Sequence, residues 1–277
     1  MLPDNPTDHD YFGHNVAISN DGAYAIAGSV GEDTSGAGSG AAYVYVRSGS
    51  SWSLQQMLKA SDAAANGIFG YSCAMSSDGT YAVVGARYQN TNGAAYVYIR
   101  SGTSWSQQAK LTASNAGAGD AFGWSVDISN DGTYIIVGAK DEDSTASSSG
   151  SAYVFIRSGT SWSEQAKING SGPIVNGYFG YSVSISSDGT YAAVGAYGDN
   201  NMDYGAVHVF IRSGTSWSEQ QKIVAGDQGV SDHLGVSVSI SGAGDYVIAG
   251  AWGHESPASN AGAAYIFTRS GTSWSQQ

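Results

Sequence analysis

The residues best equipped for chemistry fall in five short, mutually dissimilar segments: Gly31-Glu32-Asp33, Arg87-Tyr88-Gln89-Asn90, Lys140-Asp141-Glu142-Asp143, Tyr197-Gly198-Asp199-Asn200 and Trp252-Gly253-His254-Glu255. They mix aromatic rings with carboxylates and amides. An aromatic face stacks on the apolar face of a sugar ring while Asp and Asn bond its hydroxyls. Tyr88, Asp141, Asp143, Tyr197, Asp199, Asn200, Trp252 and His254 are therefore the candidate ligand-binding residues. The plainer reading is that Tyr and Trp at strand ends cover the edge of a sheet. Three consecutive acids, Asp141-Glu142-Asp143, suggest a hard cation, but adjacent side chains diverge in an extended loop, which favours a solvated acidic loop. Asp10, Asp120 and Asp232 lie two or three residues before a recurring Phe-Gly-type pair, where capping linker amides is expected ahead of holding an ion.

Catalysis finds little support. There is no Gly-x-Ser-x-Gly turn, and the five histidines have no metal-ligand spacing. A glycosidase needs paired carboxylates, and the strands expected to lie innermost offer Asp127 alone. No catalytic residue, metal ligand or cofactor is expected. The Asn169-Gly170-Ser171 sequon points to a surface loop.

An Arg and a Trp recur five residues apart, as Arg47/Trp52, Arg100/Trp105, Arg157/Trp162, Arg212/Trp217 and Arg269/Trp274. Across a four-residue connection they should face each other, a guanidinium over an indole contributing about 0.5–1 kcal/mol. That reading makes all ten structural. A ring of five equivalent tryptophan ligand sites is the alternative.

The elements that position these residues follow from an internal repeat. Phe12-Gly13, Phe69-Gly70, Phe122-Gly123, Phe179-Gly180 and Leu234-Gly235 open five segments, their glycines 57, 53, 57 and 55 residues apart, and each segment closes on a Ser-Trp-Ser. Alternating runs such as 42–46 and 153–156 suit a pleated surface. Asp-Gly at 21–22, 78–79, 131–132 and 188–189 signals one hairpin, and Ser-Gly-Thr/Ser a second. Four antiparallel strands per repeat and essentially no helix are expected, within one domain over 1–277, with blades near 10–57, 67–110, 120–167, 177–222 and 232–277. The fold class is an all-β, five-bladed β-propeller. Its N- and C-termini are expected side by side, because Met1 occupies the register position of Leu58, Leu111, Ile168 and Ile223, and Gln277 stops two residues short of the position preceding it. A linear array would need polar capping repeats.

Composition narrows the partners. Eleven Lys and Arg against 23 Asp and Glu give a net charge of −12, without a basic cluster, which excludes nucleic acid and anionic membrane surfaces. No run approaches the length of an apolar membrane span, so no membrane insertion is expected. One cysteine, Cys73, excludes an internal disulfide framework.

The Phe-Gly pair followed by Val84-Gly85-Ala86, Val137-Gly138-Ala139 and Val194-Gly195-Ala196 resembles the FG-GAP repeat of the integrin α-subunit headpiece propeller. In style it is closer to bacterial and algal FG-GAP repeat proteins, whose repeats read much like the segment 100–114. The resemblance covers the whole chain. It implies a non-catalytic adhesion or protein-interaction module, extracellular or at the cell surface, that binds through variable loops on one face. A glycan-binding lectin and a structural bead within a larger surface assembly are the alternatives. Two departures stand out: five repeats instead of seven, and an Asp-Gly turn too short for the family's calcium loop. A lone aspartate (Asp21, Asp78, Asp131 or Asp188) cannot supply the oxygens calcium needs, so no calcium is expected there and turn chemistry accounts for these acids.

Overall fold

The computed structural model describes residues 1, 7–255, 258 and 261–277, without the side chains of Asn200 and Asn201. Twenty strands form five four-stranded antiparallel sheets, each in chain order. The first holds β1 (Phe12–Ile18), β2 (Tyr24–Ser29), β3 (Ala41–Ser48) and β4 (Ser51–Leu58), and the second β5 (Phe69–Met75), β6 (Tyr81–Ala86), β7 (Ala94–Ser101) and β8 (Ser104–Leu111). The third holds β9 (Phe122–Ile128), β10 (Tyr134–Ala139), β11 (Ser151–Ser158) and β12 (Ser161–Ile168). The fourth holds β13 (Phe179–Ile185), β14 (Tyr191–Ala196), β15 (Ala206–Ser213) and β16 (Ser216–Ile223). The fifth holds β17 (Leu234–Ile240), β18 (Tyr246–Ala251), β19 (Ala263–Ser270) and β20 (Ser273–Gln276). Two short helical turns, Gln89–Thr91 and Asp199–Asp203, interrupt the expected all-strand pattern.

The chain divides into two compact units, Met1–Thr133 with Arg157–Ser163, and Tyr134–Ile156 with Glu164–Gln277. In the first unit, Ile26 and Val44 of one sheet pack against Cys73, Ala82 and Val84 of the next. In the second, Ile136 and Val154 meet Val183 and Ile185, and Ala193 and Val209 meet Ile240 and Val247. Full burial of each such side chain contributes about 1.5–3 kcal/mol.

The two glycines of the repeat have one physical cause each. Phe69 pairs with Ala86 and Ser72 with Gly85, so Gly70 and Tyr71 bulge out of the ladder. Gly70 supplies the positive φ of 90° that the bulge requires. The Val-Gly-Ala glycine lets backbones touch: a Cβ on Gly28 would lie 1.9 Å from the Gly70 carbonyl oxygen, and on Gly195 2.0 Å from that of Gly235. Successive sheets therefore meet backbone to backbone at these points, an approach closed to any larger residue.

Arg and Trp serve the same purpose by a route the sequence reading did not anticipate. Each pair is in register across its hairpin, Arg47 opposite Trp52 and Arg212 opposite Trp217. The guanidinium, however, lies over the Tyr that opens the second strand of the preceding repeat: Arg100 over Tyr24 at 4.1 Å, Arg157 over Tyr81 at 4.7 Å, Arg212 over Tyr134 at 4.3 Å and Arg269 over Tyr191 at 4.4 Å. Its Nε donates to the hairpin glycine carbonyl, as from Arg212 to Gly189 at 2.7 Å, and this aims the side chain across the sheet interface. Each indole Nε1 donates to a Gln of the preceding repeat: Trp105 to Gln55, Trp162 to Gln108, Trp217 to Gln165 and Trp274 to Gln220, at 2.7–2.9 Å. Arg47 and Trp52 are the first-repeat members of this set.

Candidate functional site

The five variable segments connect the second and third strands of their sheets, and each buries its residue four positions after the second-strand glycine: Glu32, Gln89, Glu142, Asp199 and His254. The reason is a shared backbone clasp. The carbonyl of each accepts a hydrogen bond from the glycine before the third strand: Gly40, Gly93, Gly150, Gly205 and Gly262 respectively. Asp199 and His254, expected at a ligand surface, are thereby turned inward. Asp199 Oδ2 lies 3.0 Å from His208 Nε2 and 2.7 Å from Lys222 Nζ, and Glu219 Oε1 is 3.0 Å from His208 Nδ1. Burial opposes the charged imidazole, but the two carboxylates prevail and hold the His208 pKa above its usual range, while those of Asp199 and Glu219 are lowered.

His254 Nδ1 lies 3.0 Å from Asp232 Oδ2. Asp232 Oδ2 also accepts from Gly229 N at 2.6 Å, and Asp10 and Asp120 bond Thr7 N and Gly117 N at 2.7 Å, so these three acids cap linker amides. Glu142 is the same design in the third repeat. Burial works against its charge, yet hydrogen bonds from Lys167, Ser144 and Ser151 and the Lys167 charge bring its pKa down to about 2.

Asp141 is clamped by Lys140 at 2.7 Å, and Asp143 accepts from Ser148 N at 2.6 Å, which closes its own loop. In the Asp-Gly turns, Asp78 Oδ1 accepts from Thr80 N and Ser76 Oγ, both at 2.9 Å, as turn chemistry requires. Asp127 Oδ1 accepts from Ile128 N. Cys73 is buried, which pushes its thiol up to about 12 and keeps it protonated. Among the described residues no three His, Cys, Asp or Glu side chains converge as metal ligands. The side chain of Asn200 lies outside the described residues.

What remains at the surface is aromatic. In the first unit the Arg87 guanidinium sits 4.2 Å from the Tyr71 ring, 4.4 Å from Tyr88 and 4.7 Å from Trp124. Tyr71 and Trp124 are 4.8 Å apart, and His14 is 4.7 Å from Tyr71. In the second unit Tyr197 stacks on Tyr178 at 4.9 Å with 4° between planes, and meets the edge of Tyr181. Trp252 stacks on His233 at 4.8 Å and leaves 59% of its surface open. Lys140 Nζ lies 5.0 Å from the Tyr178 ring centre. Burial, helped by neighbouring tyrosines and acids, keeps the Tyr197 hydroxyl un-ionised.

Four positions build these clusters: the two residues after Val-Gly-Ala, the bulged residue after Phe-Gly, and the residue before Phe-Gly. That last residue is Tyr11, Ile68, Ala121, Tyr178 or His233, and all five are held at φ between 51° and 58°. Such a backbone costs a non-glycine residue energy and fixes where its side chain goes. The sequence reading included Tyr88, Tyr197 and Trp252 but missed His14, Tyr71, Trp124, Tyr178, Tyr181 and His233. For four of them the signal was an aromatic or His directly after Phe-Gly (His14, Tyr71, Trp124, Tyr181); Tyr178 and His233 stand directly before a Phe-Gly-type pair. The arrangement presents flat π faces and fixed cations at the surface.

The class this fold and surface define is a scaffold of propeller-like repeats. The FG-GAP repeat model matches residues 1–45, 52–98, 105–155, 162–210 and 217–267, and the chain belongs to the FG-GAP repeat family. From the second repeat on, each match begins in the fourth strand of one sheet and ends in the third strand of the next, so every such repeat straddles a sheet boundary. A search of curated proteins finds no match. No helix among the described residues is long and apolar enough to cross a membrane.

Proposed function

We propose that this protein is a non-catalytic recognition module, extracellular or at the cell surface, that binds a partner protein through its variable-loop and aromatic face. The observation that carries this reading is the pair of preorganised clusters: Arg87 among Tyr71, Tyr88 and Trp124, and Trp252 on His233. Aromatic rings and arginine dominate binding energy at protein interfaces, because they bury large areas at small entropic cost. Here strained backbone and stacking have already restricted those side chains, which lowers the cost of ordering them on contact.

A glycan ligand is the second reading, and the exposed indole of Trp252 favours it, since such a face stacks on a sugar ring. Fluorescently labelled protein applied to a panel of cell-surface and matrix proteins and to a glycan array separates the two. Binding to a protein spot that falls more than about tenfold in Arg87→Ala and in Trp252→Ala supports the first. Hits confined to glycans, lost in Trp252→Ala alone, support the second. Binding that both variants retain in full refutes the assignment of the site.

A further inference from the structure

Arg87 is the exception among the cations of this chain, which number five lysines and six arginines. Each lysine faces a carboxylate at 2.5–3.8 Å. The other five arginines each donate from Nε to a hairpin glycine carbonyl at 2.6–2.8 Å. Among the described residues Arg87 has neither kind of partner, and its Nε is buried without a hydrogen bond. The rings of Tyr71, Tyr88 and Trp124 surround the guanidinium, but a π face offsets charge without taking N–H donors as an oxygen does. The third repeat shows what neutralises a cation at this place. Lys140, directly after Val-Gly-Ala like Arg87, is bound by the next residue, Asp141, at 2.7 Å. In the second repeat that next residue is Tyr88, which is 43% exposed and brings no carboxylate.

We propose that the carboxylate missing beside Arg87 comes from the partner: an Asp or Glu side chain of a protein seats on the guanidinium, among the rings of Tyr71, Tyr88 and Trp124. This rests on the reading of the aromatic face as a protein-recognition site and names the chemistry that the site selects. A guanidinium presents paired N–H donors in one plane, and they match the two oxygens of a carboxylate. The rings hold this fork in place before contact, so little ordering remains to be done on binding. One unpaired cation balances one negative charge. A phosphate monoester carries about two and calls for a second cation, whereas every lysine is already committed to an acid of this chain. The net charge of −12 repels an acidic stretch at long range, so the segment that fits carries one acid among neutral or basic residues.

The test is selection of a phage-displayed library of random short peptides on the immobilised protein. Enriched peptides should share one Asp or Glu at a fixed position. Synthetic copies, measured by calorimetry, should lose at least about tenfold in affinity when that acid is exchanged for its amide. The same loss is expected against Arg87→Lys, which keeps the charge but not the fork. Tyr88→Asp gives Arg87 the neighbour that Lys140 has, and should bind at least about tenfold more weakly than Tyr88→Asn, its neutral isostere at the same exposed position. Peptides that Arg87→Ala releases but that tolerate the amide overturn the carboxylate and leave the recognition face standing. Peptides with a shared acid that Arg87→Ala binds in full overturn the proposal together with the assignment of the face. No enrichment, or Arg87-dependent binding confined to acid-bearing glycans, overturns the protein carboxylate.

Discussion

Replacing Gly195 by Ala tests the backbone-to-backbone contact most directly. A methyl there would stand 2.0 Å from the Gly235 carbonyl oxygen and 2.4 Å from Ser182 Oγ. Ordinary contact begins at 3.4 Å, so β14 and β17 must separate by about 1.4 Å. The Ser182 Oγ to Gly235 O hydrogen bond, 2.7 Å long, cannot survive that movement. Overpacking costs about 1–3 kcal/mol and the lost bond about 1, while exchanging a strand glycine for alanine returns about 0.5–1. The net expectation is a loss of about 1–3.5 kcal/mol.

Gly226 is the control in the same unit. Its nearest neighbour to an added Cβ is the end of Gln276 at 3.4 Å, so Gly226→Ala should change stability by no more than about 0.5–1 kcal/mol. Equilibrium urea unfolding followed by tryptophan fluorescence reads both, and Gly195→Ala should lower the midpoint by about 1 M at unchanged slope. If its midpoint coincides with that of Gly226→Ala, the sheets do not touch through this glycine and the account of the repeat motif fails.

Two further outcomes follow from the staples and the buried ion pairs. Arg212→Ala removes the contact with Tyr134 and the bond to Gly189, and should cost about 1–2 kcal/mol in urea unfolding; Arg47→Ala, which among the described residues loses only bonds to hairpin carbonyls, should cost less. His208 gives a pH dependence. Its folded pKa is raised above the ordinary histidine value of 6.5, so its stabilising contribution is complete below that pH and lost as pH rises through the folded value. Asp199 and Glu219, whose pKa values are lowered from 3.8 and 4.5, contribute above those values and lose their contribution on acidification. Stability set by this cluster therefore peaks between 4.5 and 6.5. His208→Tyr, which installs the residue found at this position in the other four repeats, should flatten the alkaline fall in the unfolding midpoint.

The strands and the hairpins were legible in the sequence because they depend on local properties: alternation, turn residues and spacing. The partners of long side chains were not. Arg and Trp face each other across every hairpin, as spacing implies, yet spacing does not say that a bond to the hairpin glycine swings the guanidinium onto a tyrosine some 75 residues earlier. The candidate site divided on the same principle. Tyr88, Tyr197 and Trp252 were found as aromatic residues in a variable segment, and they belong to the surface clusters. Asp199 and His254 lie in the same segments and looked equivalent, but a backbone clasp formed with a glycine six to eight residues later turned them inward.

That division bears on how such a repeat can diversify. The clasped position varies as Glu, Gln, Glu, Asp and His, and each variant meets a partner from the loops or outer strands around it: Lys59 at 3.8 Å for Glu32, the Asp62 carbonyl for Gln89, Lys167 for Glu142, Lys222 for Asp199 and Asp232 for His254, with Glu32 Oε2 and Gln89 Oε1 left without a hydrogen bond. A buried polar group left alone costs about 1–3 kcal/mol, so substitutions there must arrive with a partner and stay tied to stability. The position two residues earlier, directly after the second strand, is half-buried or exposed in every repeat. It reads Val30, Arg87, Lys140, Tyr197 and Trp252, and the residue in it changes the exposed surface while the glycine contacts beneath keep the sheets together. On the proposed reading, recognition and folding fall to positions two residues apart in one loop, and a binding specificity written at the outer one would change without loosening the scaffold.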